Sequence, residues 1–205
     1  DEDLINLMLR AGEAQMAAGA VHEILNNSNN YAQKISAARA LIENGKAHDF
    51  AIMLSLQDKA LLAALLQEMV QAVRNRSLAP HETATKALLP LVARHEPNAI
   101  RLAGLWRIDQ TRTEIARLAQ NDNSIVGERI AAIEALGNWK DAESKTLLLT
   151  IAGDANAALQ TAVISALANI DLTSAAELAV KSKLPADHWE QIFTTFLQRS
   201  GGAPA

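Results

Sequence analysis

An apolar residue recurs through this chain at an almost constant spacing. Successive members are separated by 32, 32, 32, 31, 31 and 30 residues, and we call them the markers: Leu9, Leu41, Val73, Leu105, Leu136, Leu167 and Leu197. A period of about 20 to 50 residues is typical of repeat proteins. The markers therefore predict a stack of similar units, each in contact with its neighbours. The alternative is an ordinary helical bundle whose spacing is regular by chance.

The residues before each marker follow a helical period. The position four before the marker is apolar in six of the seven units, with Arg101 as the exception. The position two before it is mostly polar, and the position one before it is alanine or glycine in units two to six. Apolar residues at these offsets predict an amphipathic α-helix. The small residue predicts close approach between stacked helices.

A second helix is predicted after the marker of each unit. In units four to six a short polar connector leads into helical patterns over 114–119, 143–151 and 174–180. Asp109, Asp141 and Asp171 are candidate N-caps of these helices. Short connectors predict antiparallel neighbours. The expected fold is all-α: a right-handed α-α superhelix of about six helical hairpins plus a final helix over 187–199, forming a single domain over 1–205.

One unit resembles a known repeat. Arg129 is followed by Ile-Ala-Ala-Ile-Glu-Ala-Leu-Gly, preceded by Asp122, and its second helix ends in the acidic turn 151–154. This pattern resembles the HEAT repeat, and more narrowly the HEAT-like repeats of phycobilisome lyases. The resemblance covers about residues 30–185 and is strongest over 122–170. It implies an armadillo-like helical solenoid.

The tail resembles a segment of large bacterial proteins. Residues 184–189 read Leu-Pro-Ala-Asp-His-Trp, and 192–202 add Ile-Phe, Phe-Leu and Gly-Gly. They are similar to the helical middle region of multidomain proteins, common in planctomycetes, that carry a dehydrogenase-like propeller and a C-terminal cytochrome c domain. The resemblance implies a fragment of a longer chain, located in the periplasm or secreted. Haem would belong to a neighbouring domain, and no cofactor is expected here.

Composition restricts the partners. The net charge of −4 gives no general attraction to nucleic acid or anionic lipid. No apolar run approaches the length of a membrane span, and the absence of cysteine excludes disulfides and thiolate metal sites.

One stretch of the sequence is basic and contains Arg94, Arg101, Arg107, Arg112 and Arg117. This basic stretch could bind an anion, with Trp106 beside it, or it could be a helix pair joined by salt bridges. Arg101, at an otherwise apolar position, is expected to pair with an acid of an adjacent unit or to mark a local helix rotation.

Residue patterns for catalysis are missing from the sequence. The five histidines are not paired at helical spacing, and the sequence contains no phosphate loop and no nucleophile elbow. We therefore expect a non-catalytic protein-interaction scaffold that spaces other protein domains, those of the same chain. The alternatives are a chaperone- or lyase-like maturation factor and an anion or nucleic-acid binder.

The last helix has unusually large side chains at its packing positions. Trp189, Phe193 and Phe196 stand where earlier units have small or aliphatic residues. They could cap the stack with bulk, or they could form an exposed end that meets a further unit or domain. The second interpretation is the one we favour.

Overall fold

The computed structural model describes residues 2–153 and 156–199, and these contain helices and connectors but no strand. The all-α prediction is confirmed. None of the described helices has the length and apolar character needed to cross a membrane. Residue 154 of the acidic turn and residues 200–202 of the tail motif lie outside the described part.

Thirteen α-helices and one 3₁₀ turn account for the described chain. In order they are α1 (Glu2–Arg10), α2 (Ala14–Asn27), α3 (Tyr31–Asn44), the 3₁₀ turn (Ala47–Asp49), α4 (Phe50–Leu54), α5 (Lys59–Arg76), α6 (Glu82–Ala93), α7 (Pro97–Leu105), α8 (Asp109–Gln120), α9 (Val126–Trp139), α10 (Ala142–Ile151), α11 (Ala157–Ala168), α12 (Leu172–Lys181) and α13 (Ala186–Arg199). All seven markers lie on odd-numbered helices.

The helices divide into two compact units, Asp1–Leu91 and Val92–Ala205. In the first unit α1, α3 and α5 pack against one another in sequence, and α2 packs against α1 and α3. Arg76, at the end of α5, donates to the carbonyl oxygens of Ile42 at 2.8 Å and Gly45 at 2.6 Å. The end of α5 is thereby joined to the end of α3, one repeat earlier in the chain.

The second unit has the same kind of order. Helix α7 packs on α9, α9 on α11 and α11 on α13, while α8, α10 and α12 pack against this row. The arrangement is compatible with a helical repeat solenoid. The right-handed superhelix, the number of hairpins and the single domain over 1–205 stay predictions.

Two glycines show why small residues recur beside the markers. A Cβ atom on Gly104 would lie 2.4 Å from the Cα atom of Ala135, and one on Gly137 would lie 2.9 Å from the Cα atom of Ala166. Both distances are shorter than carbon atoms can approach. Helix α9 thus touches α7 and α11 almost backbone to backbone, as the small-residue position predicts.

The connectors confirm two of the three expected N-caps. Asp141 accepts from the Ser144 amide at 2.8 Å, and Asp171 accepts from the Thr173 amide at 3.0 Å. The expectation for Asp109 is wrong, because α8 begins at Asp109 itself and extends five residues before the predicted 114–119. Its carboxylate instead accepts from the indole nitrogen of Trp139 at 3.3 Å.

Candidate functional site

Arg101 pairs with an acid of the next repeat. Its Nε atom lies 2.5 Å from Oε2 of Glu134 on α9, and its Nη1 atom donates to Asn98 at 3.1 Å. Both charged side chains are partly buried at the α7–α9 contact. Of the two interpretations of this arginine, the ion pair with an adjacent unit is confirmed.

Arg112 joins α8 to the start of α10. Its guanidinium lies 2.8 Å from Asp141 and 3.1 Å from Glu143, and its central carbon is 5.7 Å from the centre of the Trp139 ring. The hydrogen bond with Asp141 raises the pKa of Arg112. Burial works to raise the pKa of Asp141, but bonds from Arg112 and Ser144 outweigh burial and leave that pKa lowered. The Arg112 guanidinium is thus fixed by an ion pair with Asp141 and by its contact with the Trp139 ring.

Two of the remaining three arginines of the basic stretch, Arg107 and Arg117, also have acceptors nearby. Arg107 donates from Nε to the carbonyl oxygen of Asn138 at 2.8 Å. Arg117 pairs with Glu114 at 2.5 Å and lowers the pKa of that carboxyl to about 2, with a further bond from His95. Arg94 is exposed and makes no ion pair among the described residues. Within the basic stretch, Arg101 and Arg112 therefore form salt bridges between helices, and Arg117 forms one within α8.

Trp106, the candidate predicted beside the basic stretch, is not exposed at the surface. Its side chain is buried in the core of the second unit, as is that of Trp139. An external ligand would meet the arginines without this indole.

Polar contacts throughout the chain connect residues about one repeat apart. The separation is 29 residues for Arg39 and Glu68, 33 for Arg101 and Glu134, and 26 for Lys145 and Asp171. Because a repeat is about 31 residues long, each pair joins one unit to the next. These ion pairs therefore link successive repeats.

Arg129 gives the HEAT-like pattern a physical basis. The side chain is almost fully buried, and its Nε atom donates to the carbonyl oxygen of Ala119 at 3.2 Å. Its Nη1 atom lies 3.1 Å from Oδ1 of Asp122. The arginine thus contacts both the end of α8 and the turn before α9, which gives a physical reason for Asp122 to precede Arg129 in this unit.

The terminal helix α13 has one packed face and one exposed face. Ile192, 1% exposed, belongs to a buried cluster with Ile164, Ala179 and Leu184, and Trp189 and Phe196 pack half-buried against that cluster. Phe193 is 60% exposed and Leu197 is 54% exposed. The centres of the Trp189 and Phe193 rings are 5.7 Å apart. Of the three residues predicted for the end of the stack, Phe193 is the most exposed.

One pair of histidines was not anticipated. His48 and His81 lie 33 positions apart in the sequence, and their ring centres are 5.5 Å apart. The repeat length could have revealed this pair, since it brings residues about one period apart together. His48 also contacts the buried carboxylate of Asp49 at 3.1 Å. Within the described chain no group of three or more His, Asp or Glu side chains could hold a metal ion.

The described clefts are open and shallow. One, of about 310 Å³, lies between α11 and α12 and is lined by Ile164 and Leu178 with Lys181 and Lys183 at its rim. Another lies beside α3, with Asn30, Gln33 and Ser36 in its wall.

Comparisons with known proteins place this chain in no family. No family model matches the chain, and neither a curated protein nor a solved structure is significantly similar to it. The class of protein is therefore defined by the fold, an all-α chain compatible with a helical repeat solenoid. Phe193 and Leu197 of α13 are among the large apolar side chains that the described structure leaves exposed.

Proposed function

We propose that this chain is a non-catalytic protein-interaction scaffold of the HEAT-like kind, and that α13 supplies a contact surface for another protein domain. The observation that carries the proposal is the exposure of Phe193 and Leu197, one helical turn apart on the same face of α13. Large apolar side chains that adjoin one another on a surface mark interaction sites.

The energetics of α13 support this role. Removing a phenylalanine or leucine side chain from water contributes about 1.5 to 3 kcal/mol. Aromatic residues are enriched in protein interfaces, where they often carry most of the binding energy. Phe193 and Leu197 together therefore offer a partner apolar surface, while the buried Ile192 packs the opposite face of α13 against the core.

The links between repeats support a spacing role. The ion pairs of Arg101 and Arg112 join α7 to α9 and α8 to the start of α10. A stack joined in this way resists local bending and suits a protein that holds other domains apart. The finer proposal is that those domains belong to a larger bacterial protein, as the tail resemblance implies. Since Arg101, Arg107, Arg112 and Arg117 already contact acceptors, the contacts favour scaffolding over anion binding.

The experiment is site-specific photo-crosslinking in cells of the source organism. A photoreactive phenylalanine analogue at position 193 should crosslink to a protein that mass spectrometry identifies. The same analogue at Val180, which is 84% exposed on α12, is the matched control. The identified protein, once purified, should bind the chain, and Phe193→Glu should weaken that binding at least about tenfold while Val180→Glu leaves it unchanged. Equal crosslinking at both positions, or unchanged binding by Phe193→Glu, would overturn the proposal.

A further inference from the structure

We infer that His48 and His81 together bind a divalent transition-metal ion that prefers imidazole ligands, with Zn²⁺ as the ion to test. Both side chains belong to the first unit, His48 in the 3₁₀ turn after α3 and His81 directly before α6. The inference goes beyond the proposed function, because it concerns a different surface and does not depend on α13. It follows from the distance between the rings, from the second contact of each ring and from the exposure of both side chains.

The two imidazole rings are as far apart as two rings that share a metal ion. Their centres are 5.5 Å apart and their planes are inclined by 59°. A Zn²⁺ ion bonded to one nitrogen of each ring at about 2.0 to 2.1 Å, with a tetrahedral angle between the bonds, would hold the ring centres roughly 5 to 6 Å apart. Because the two histidines belong to successive repeats, a shared ion would join one repeat to the next, as the pair of Arg39 and Glu68 does.

A buried carboxylate determines which nitrogen of His48 is available. Its Nε2 atom lies 3.1 Å from Oδ1 of Asp49, whose side chain is 2% exposed. The other oxygen of this carboxylate, Oδ2, accepts from the Lys46 amide at 2.7 Å. Since an ionised carboxylate only accepts, Nε2 of His48 carries the hydrogen, and Nδ1 of the neutral ring has the free lone pair. Metal-binding histidines donate their other ring nitrogen in this way, which fixes the ring and makes it a stronger ligand.

A hydroxyl group orients the ring of His81. Its Nδ1 atom lies 2.9 Å from Oγ1 of Thr83, and the contact of the same nitrogen with the Thr83 amide is longer, at 3.4 Å. When Nδ1 donates to the hydroxyl, Nε2 has the free lone pair. His81 is exposed and the side chain of His48 is 46% exposed. A metal ion in solvent can therefore reach both rings.

The number of protein ligands restricts the kind of ion and its affinity. Within the described residues no group of three or more His, Asp or Glu side chains could hold a metal ion, so water would complete the coordination. Binding should therefore be weaker than at structural zinc sites, which have four protein ligands. Imidazole ligands favour Zn²⁺ and Cu²⁺ over Mg²⁺ and Ca²⁺, which prefer oxygen.

Two other histidines show what distinguishes this pair. Both ring nitrogens of His95 face carboxylates, Nε2 at 2.9 Å from Glu114 and Nδ1 at 3.6 Å from Glu128. His22 is exposed and contacts the side chain of Asn26, and no second histidine adjoins it among the described residues. His22 is therefore the matched control, an accessible single imidazole on the same unit.

Calorimetric titration of the full chain with zinc chloride near neutral pH tests the inference. The parent chain should bind one Zn²⁺ ion with a dissociation constant below about 100 μM. His48→Gln and His81→Gln should each weaken binding at least about tenfold, because each removes one of the two protein ligands, whereas His22→Gln should leave it within about twofold. Since the replaced side chains are exposed, the circular dichroism of all three variants should match that of the parent.

Electron paramagnetic resonance of the Cu²⁺ complex provides a second measurement, because it counts nitrogen ligands. With less than one equivalent of Cu²⁺, the parent spectrum should show splitting from two imidazole nitrogens. His48→Gln and His81→Gln should each show splitting from one. Acidification to about pH 5 should release the ion, since a protonated imidazole does not bind a metal.

Three outcomes would overturn the inference. The first is an absence of binding up to about 1 mM Zn²⁺. The second is a loss of binding on substitution of only one of the pair, which would indicate a site with a single imidazole. The third is an equal loss in His22→Gln, which would indicate binding spread over separate histidines. None of them affects the crosslinking at position 193, so the proposed function is tested independently.

Discussion

Helices α11 and α13 carry the same repeat positions in opposite environments. Val163 stands four residues before the marker in α11 and is fully buried, whereas Phe193 at the same position of α13 is exposed. The markers differ in the same way, since Leu167 is fully buried and Leu197 is more than half exposed. Helix α13 packs on α11, where Ile192 clusters with Ile164. In a stack of repeats, each repeat contributes to burying the apolar face of its neighbour.

Side-chain size differs between the interior and the end as well. The position before the marker is Gly104 in α7, Ala135 in α9 and Ala166 in α11, and these helices nearly touch. In α13 the same position is Phe196, which is half-buried. A phenylalanine could not fit between α9 and α11 without separating them. Helix α13 is therefore suited to a wider contact than those inside the stack.

The strongest test of the interior contact is Gly104→Ala. The added Cβ atom would lie 2.4 Å from the Cα atom of Ala135, a backbone atom that cannot move aside alone. We expect a loss of about 3 kcal/mol in the free energy of unfolding, at the upper end of the usual cost of overpacking. Urea denaturation followed by circular dichroism measures this change.

The matched control for that substitution is Gly127→Ala. Nothing lies within 4 Å of a Cβ atom at Gly127, which stands in α9. Alanine favours helix more than glycine does, so this change should stabilise the chain by up to about 1 kcal/mol. Similar stability for the two variants would show that α7 and α9 are not as close as described.

Two adjacent residues of α13 test the contrast between its faces. Ile192→Ala should cost about 2 kcal/mol, the low end for a buried isoleucine, because the end of a stack can partly close the cavity. Phe193→Ala should change stability by less than about 0.5 kcal/mol, since the ring is mostly exposed. Thermal and urea unfolding of both variants at low protein concentration would measure the difference. A larger loss for Phe193→Ala would mean that this ring is packed in solution.

The repeat in the sequence predicted the helices and their closest contacts. Its period placed the markers on alternate helices, and the small residues beside them predicted the approach of Gly104 to Ala135. These features were predictable because burial of a continuous apolar face requires a helical period. The N-capping rule failed for Asp109. That carboxylate accepts from Trp139, 30 residues later, and a local capping rule does not include distant donors.

Pairings between repeats were less predictable than helices. The sequence offered Arg101 either an acid in an adjacent unit or a local rotation, and only the packing of α7 on α9 brings Glu134 within reach. His48 and His81 lie about one repeat apart, so the helical spacing of the sequence does not reveal their contact. The exposure of Phe193 depends on which surfaces other helices cover, so the sequence could state it only as one of two alternatives.

The smallest expected effect concerns acid stability inside the second unit. The hydrogen bond from Arg117 lowers the pKa of Glu114 to about 2. Burial acts to raise this pKa, and a hydrogen bond with His95 lowers it further. A carboxyl whose pKa is lower in the folded chain stabilises folding above its unfolded pKa, near 4.5, and this contribution is lost as the pH falls toward about 2. Because Glu114 is partly exposed and its charge is screened, the loss should stay below about 1 kcal/mol.

Unfolding of the parent chain and of Glu114→Gln at pH 6 and pH 2.5 measures this contribution. The parent should lose more stability on acidification than the variant, since the glutamine has no charge to lose. Glu177→Gln, at an exposed carboxylate of α12 without an ion pair among the described residues, should behave as the parent does. Parallel losses in the parent and in Glu114→Gln would show that the contacts of Glu114 with Arg117 and His95 contribute nothing to folding. The acid sensitivity of the second unit would then have to come from ion pairs between its repeats, such as that of Lys145 with Asp171. Hydrogen bonds from Lys145 and Ser174 lower the pKa of Asp171.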